Sequence, residues 1–234
     1  FIILLGALLR IVSIILYGDE EVANEWGIML ENLEQYNMLS VRSIDGVPVP
    51  NIFMPPLYPL FLYLVKLVFN DSFVFLNAVF TIQLILSLIS IFLSFKIFLE
   101  IFNEKYSQIG MLLYAIFPLN VFAVSQISSV SLQMLLINVF LLGYIKFFKN
   151  LTLKNVIIFS VPSALLILLR GEFFIFVLLS LGYLILKHKC FQKVMVSVFI
   201  IIFLISPYLY RNLNIFGTIT ITKSSGYNLL KGNH

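Results

Sequence analysis

Three carboxylates in a row, Asp19, Glu20 and Glu21, follow Gly18 at the end of an apolar run that fills residues 1–17. A charge beside hydrocarbon is costly, so such a cluster either sits in water or marks a site. Two kinds of chemistry suit it. A carboxylate at the mouth of a span, partly desolvated and next to like charges, has its pKa raised toward general-base work. Two carboxylates together also suit a divalent cation. The bland alternative is a solvated helix end. Gly18 is expected to let the chain turn out of the helix, which holds the short Asp19 side chain close to the membrane face. Asp19 is therefore the first choice for a base and Glu20 the second.

Two arginines could meet an anion. Arg170 stands between two apolar runs with Glu172 beside it, and Arg211-Asn212 follows Pro207-Tyr208-Leu209-Tyr210. A guanidinium fork donates two hydrogen bonds to a phosphate or a carboxylate. The competing readings are a local Arg170–Glu172 pair and, for Arg211, an interfacial anchor. His188 lies in a lysine cluster and His234 is terminal. Neither has metal-ligand spacing, and Cys190 is the single cysteine. The chain contains no phosphate-binding loop, no dinucleotide fingerprint and no Ser-His-Asp arrangement.

The elements that must position these residues are apolar. Of 234 residues, 61% are hydrophobic and 11% charged, and the mean hydropathy is +1.04. Soluble domains carry about 25% charged residues. The 24 Phe and 11 Tyr suit aromatic belts at a lipid interface. Long continuous apolar runs argue for helices rather than a barrel. The expected fold is an all-α polytopic membrane protein with about seven transmembrane helices. The runs are 1–17, 72–95, 107–124, 130–149, 155–169, 173–187 and 194–210. The fifth and sixth read as a tight hairpin through Arg170-Gly171-Glu172, against the alternative of one long helix with a buried ion pair.

Residues 57–69 are too short for a span and read as an interfacial helix. With that reading Lys96 and Lys105, then Lys146, Lys149 and Lys154, then Lys187, Lys189 and Lys193 fall on one side, which is cytoplasmic by the positive-inside rule. The net charge of +4 is thus a topology signal and not a nucleic-acid one. The first outer loop, 18–56, is acidic. Val22, Trp26, Met29, Leu30 and Leu33 recur at helical spacing there, so an amphipathic helix is expected. Gly46-Val47-Pro48-Val49-Pro50 reads as a turn. The segment 211–234 is polar, with a short strand expected at Thr218–Thr222. The organisation is a transmembrane domain over 1–210, followed by the start of an outer segment, 211–234. The chain reads as a fragment of a longer protein.

Set in order, the pieces resemble bacterial membrane glycosyltransferases of the GT-C superfamily. The nearest branch is akin to dolichyl-phosphate-mannose protein mannosyltransferases and aminoarabinose transferases. The resembling pieces are Gly18-Asp19-Glu20, Asn24-Glu25-Trp26 with Asn32-Leu33, and Pro55-Pro56-Leu57-Tyr58-Pro59. They continue with Phe117-Pro118, Leu168-Leu169-Arg170, Pro207, Arg211-Asn212, Phe216-Gly217, Gly226-Tyr227-Asn228-Leu229 and Gly232-Asn233. The resemblance implies that Asp19 and Glu20 are catalytic and that Arg170 and Arg211 face the phosphate of a polyprenyl-phosphate sugar donor. It implies a protein, lipid or glycan acceptor, a periplasmic active face and a bacterial inner membrane. Relatives commonly carry a Glu in the second outer loop. Here that loop, Ser125-Gln126-Ile127-Ser128-Ser129-Val130-Ser131, has no acid. No cofactor is required by the sequence, and a divalent cation stays an alternative. The runner-up function is a lipid-carrier flippase or transporter, which should place polar residues in mid-membrane helices. The spans read as almost uniformly apolar, which favours chemistry at an interface.

Overall fold

The computed structural model describes residues 1–22, 24–188 and 191–223. It is mostly helical, with one short hairpin. The chain runs α1 (Ile2–Tyr17), α2 (Asn24–Tyr36), β1 (Arg42–Ile44), β2 (Val47–Val49), α3 (Leu57–Val68), α4 (Ser72–Leu99), α5 (Glu104–Ile116), α6 (Pro118–Phe122), α7 (Val130–Lys149), α8 (Leu153–Leu169), α9 (Phe173–His188) and α10 (Phe191–Phe216). Each of the seven apolar runs carries a helix. Three of them, α4, α7 and α10, are long and apolar enough to cross a membrane, while α1, α3, α8 and α9 are shorter apolar helices.

The helix ends follow local chemistry. Asp71 accepts from the Val74 N–H at 3.0 Å, Asn103 from the Tyr106 N–H at 3.1 Å and Thr152 from the Asn155 N–H at 3.3 Å, so α4, α5 and α8 all start on side-chain caps. Pro118 has no N–H, and Phe117 before it is extended. The run read as 107–124 is therefore two helices with a break between them. The turn over Arg170-Gly171-Glu172 separates α8 from α9, so the hairpin reading holds. Helix α10 passes through Pro207 and continues to Phe216, so Arg211 and Asn212 lie on it rather than beyond its end.

Three local expectations fail. Arg42–Ile44 and Val47–Val49 pair as an antiparallel hairpin, with Ile44 opposite Val47. Its tip, Asp45-Gly46, has φ of 51° and 78°, the backbone a tight two-residue hairpin turn demands. The turn thus overlaps the residues assigned to it only at Gly46, and Val47–Val49 form a strand instead. No strand forms among Thr218–Thr222. The Thr220 carbonyl accepts from the Asn212 amide at 2.7 Å and the Thr222 hydroxyl donates to the Phe53 carbonyl at 2.8 Å, so its polar groups are met singly and not by a ladder. Gly18 has φ −62°, which any residue adopts. The need for glycine is spatial, because a Cβ there would lie 2.5 Å from the Ile14 carbonyl oxygen.

The central core joins α4, α7, α8 and α10, with Phe140, Phe147 and Phe159 in contact at 5.3–5.8 Å between ring centres. Helices α1 and α5 lean on α4, and α9 on α8 and α10. Gly143 lets α7 and α8 approach. A Cβ at that position would lie 2.7 Å from the Ile158 carbonyl oxygen and 3.1 Å from the Phe159 Cα, both backbone atoms of the facing helix. Gly143→Leu is therefore expected to force the helices apart and destabilise the protein by about 1–3 kcal/mol or more. Thermal unfolding of the purified chain measures this, and an unchanged midpoint would refute the close approach.

The loops gather at two ends of the bundle. Glu100 at the end of α4 and Lys149 at the end of α7 form an ion pair at 2.5 Å, so these two helices run the same way. At the opposite end Asp19 meets Ser125 and Ile127, and Ile52 and Phe53 meet Lys223 and Thr222.

Candidate functional site

Helix α1 delivers Asp19 to the turn between α6 and α7. The Asp19 N–H donates to the Ser125 carbonyl at 3.1 Å. Its Oδ2 accepts from the Ile127 N–H at 2.6 Å. The Gln126 side chain donates to the Tyr17 carbonyl at 2.9 Å, which satisfies one carbonyl left open at the end of α1. Oδ1 of Asp19 accepts no hydrogen bond among the described residues. One carboxylate oxygen is therefore anchored and the other has no hydrogen-bond partner among the described residues.

The turn is itself held from below. Gln83 on α4 is buried and donates to the carbonyls of Val124 at 3.2 Å and Gln126 at 2.9 Å. Its Oε1 accepts from the Tyr58 hydroxyl at 3.4 Å. Tyr58 on α3 is buried edge-on to Trp26 of α2, with ring centres 4.8 Å apart. Burial pushes the Tyr58 phenol well above its ordinary range, and the Asp19 carboxylate adds to the shift. The hydroxyl thus stays protonated and serves as a donor. The loop 125–131 carries no acid. What that loop supplies is a backbone N–H to the acid of the first.

Glu20 takes a different course. It is exposed, and with Glu21, Glu31, Glu34, Lys66 and Ser72 it lines an open groove of about 250 Å³ that Asp19 does not line. No group of three His, Cys, Asp or Glu side chains converges as a metal site among the described residues.

The two predicted arginines sit at the same end, on neighbouring helices. Arg170 caps α8 in an extended conformation. Its guanidinium lies 3.4 Å from Glu172, and 43% of its side chain is exposed. This is the local pair, and the geometry is long and open. Arg211 is half-buried. It donates to the Asn212 side chain at 2.8 Å and, at 3.4 Å each, to the carbonyls of Asn51 and Leu39. It also stacks 5.7 Å from the rings of Tyr208 and Phe216. Its fork thus fastens α10 to the 37–56 segment. No hydrogen bond or ion pair joins Asp19 to either arginine among the described residues. The expected Gly-Tyr-Asn and Gly-Asn pieces at 226–233 lie outside the described residues.

A fifth charged residue was missed. Arg10 is fully buried at the middle of α1. Its Nε donates to the Ser87 hydroxyl at 2.7 Å, and its Nη1 donates to the carbonyls of Gly6 at 3.0 Å and Ala115 at 2.9 Å. Ala115 lies in the last turn of α5, whose carbonyls lose their helical donors at the Phe117-Pro118 break. A cation at the negative end of α5 is favourable. The signal was present in the sequence as one charge inside 1–17. Around it, Gln83, Ser87, Ser90 and Ser94 form a buried stripe on α4, at spacings that share one helix face. Asn138 of α7 donates to the Tyr114 hydroxyl of α5 at 2.9 Å. The helices are thus not uniformly apolar, and their small polar side chains face inward.

Compared with family models, curated proteins and solved structures, the chain matches none.

Proposed function

We propose that the chain is the membrane part of a glycosyltransferase that moves a sugar from a polyprenyl-phosphate donor to a protein, lipid or glycan acceptor at the periplasmic face of a bacterial inner membrane. The observation that carries the reading is Asp19, a carboxylate at the rim of an apolar bundle with one oxygen fixed by the Ile127 N–H and the other open. In the reaction the acceptor hydroxyl oxygen attacks the anomeric carbon and its proton passes to Asp19. The bond from that carbon to the phosphate oxygen breaks, and the electron pair leaves with the polyprenyl phosphate, inverting the anomeric centre. Arg170 stabilises the departing phosphate, since its single ion pair is long and exposed. Arg211 contributes charge from behind, with its hydrogen bonds engaged by the outer loop. Glu20 faces the acidic groove and acts on the approach of the acceptor. Sugar transfer from a labelled polyprenyl-phosphate donor tests this directly, with Asp19→Asn and Glu20→Gln as the comparison. Wild-type rates in both variants would end the reading.

The second reading, a lipid-carrier flippase or transporter, draws on Arg10 and the polar stripe of α4, which lie where such proteins keep functional groups. Export of a labelled lipid carrier across proteoliposomes, with no sugar transfer, would select it.

Either reading uses the same topology. Helices α1, α4, α5–α6, α7, α8, α9 and α10 cross the membrane. Helix α3, about 18 Å long at 1.5 Å per residue, is shorter than a hydrocarbon core of about 30 Å and stays at the outer face. A reporter fused within 187–193 is expected to be cytoplasmic and one within 18–50 periplasmic. Single cysteines placed just before Pro55 and just after Asn70 should label from one side. Labelling from opposite sides would overturn the placement of α3.

A further inference from the structure

A second groove of about 230 Å³ opens at the outer end of α10, away from Asp19 and Glu20. Arg42, Asn51, Phe216 and Lys223 line it, and no carboxylate does. Its two cations are brought together by long-range contacts. The hairpin places Arg42 opposite Val49, close in sequence to Asn51. The Lys223 N–H donates to the Ile52 carbonyl at 2.9 Å. Behind the groove, Arg211 donates to the Asn51 carbonyl at 3.4 Å, which adds a third positive charge. Neither the Arg42 guanidinium nor the Lys223 ammonium is in either ion pair found among the described residues.

Asn51 gives the groove its direction. Its Oδ1 accepts from the Phe53 N–H at 3.2 Å, which fixes the amide plane. Its Nδ2 is then turned the other way, buried, and without a partner. A buried donor left unmade is unfavourable unless an acceptor meets it. A fixed amide donor, a planar fork and a point-charge ammonium belong to residues that line one groove, and the one amide acceptor among them, Asn51 Oδ1, is already taken by the Phe53 N–H. They match a group with several acceptor oxygens and negative charge. A phosphate, with three strong acceptor oxygens, fits three such donors better than a carboxylate.

We propose that this groove is a phosphate-binding site, distinct from the carboxylate site and independent of whether the chain transfers sugar. The phosphate belongs either to a lipid head group of the outer leaflet or to a soluble phosphate. The test is calorimetric or fluorescence titration of the detergent-solubilised chain with inorganic phosphate and with short-chain dihexanoyl phosphatidic acid, using dihexanoylglycerol as the phosphate-free control. Asn51→Asp keeps the acceptor that caps Phe53 and turns the unpaired donor into a negative oxygen. It is expected to weaken binding about tenfold or more, the scale of one charge-assisted hydrogen bond. Arg42→Gln with Lys223→Gln, both exposed, is expected to do the same without touching the fold, and to flatten the salt dependence. Binding of both probes with mutual competition identifies a general phosphate site, and binding of phosphatidic acid alone identifies the head group. Binding of neither probe, or binding unchanged in both variants, or dihexanoylglycerol bound as tightly as phosphatidic acid, would overturn the proposal.

Discussion

Asp19→Asn is expected to lower sugar transfer from a polyprenyl-phosphate donor by about 10²–10⁴-fold, the usual loss when a general base is removed, while the chain still folds and inserts. The geometry makes this substitution informative. The Ile127 N–H donates to Asp19 Oδ2 at 2.6 Å, and an asparagine keeps one carbonyl oxygen to accept that bond. The loop anchor survives. The other oxygen, which is open, becomes an NH₂ that donates and cannot take a proton. Asp19→Ala removes both functions. It leaves the Ile127 N–H unpaired and is expected to cost about 1–3 kcal/mol of stability besides the rate. A large rate loss in Asp19→Asn with an unchanged unfolding midpoint therefore assigns the base. A loss of stability in both variants with equal fractional activity of the folded enzyme would make Asp19 an anchor only. Glu20→Gln is expected to have the smaller effect, because Glu20 lines the open acidic groove.

Arg10→Lys is expected to be the most damaging conservative change to the fold. The Arg10 fork reaches two other helices at once, Ser87 on α4 through Nε and Ala115 on α5 through Nη1. A lysine ammonium is a single point and cannot span both. Each charge-assisted hydrogen bond lost costs about 1.5–3 kcal/mol, and the charge that remains is still buried. Arg10→Met removes the charge and so removes its desolvation cost, but the Ala115 carbonyl at the end of α5 is left without a donor. Replacing a buried ion by an apolar group of similar volume is often tolerated, so Arg10→Met is expected to unfold at a higher temperature than Arg10→Lys. Thermal unfolding in detergent ranks the three proteins. A midpoint for Arg10→Lys equal to that of the wild type would show that the fork is not used. The effect should also reach Asp19. Arg10 ties α1 to α5, and the chain after α5 forms the turn that holds the Asp19 carboxylate. Transfer by whatever Arg10→Lys remains folded should accordingly fall in turnover more than in donor affinity.

What the sequence determined by itself was local and additive. Hydropathy summed along the chain located every apolar helix. Side-chain caps at Asp71, Asn103 and Thr152 and the imino acid at Pro118 set their ends, because these act within one turn of backbone. The Asp45-Gly46 turn was equally legible, since a two-residue loop of that composition prefers positive φ at both positions. The turn assignment ran from Gly46 to Pro50 instead, over the residues that form the second strand. The chain also announced its acid after α1 and its arginines after α8 and near the end of α10.

Tertiary structure alone decided what these groups touch. Asp19 and Glu20 are adjacent in sequence yet diverge, because one backbone step turns the first toward the α6–α7 turn and the second toward α2. Arg211 looks like a free cation in sequence, but its fork is taken up by the carbonyls of Leu39 and Asn51, more than 150 positions away. Arg10 looks like a blemish in an apolar run. Its burial depends on a carbonyl freed at the Phe117-Pro118 break and a hydroxyl on α4, and neither is near it in the chain. Asn51 and Lys223 share a groove only because the segment after α10 folds back onto residues 52–53. Hydrogen bonds of this kind join partners whose separation along the chain carries no periodic signal. Burial sets their strength, and burial is fixed only once the helices have packed.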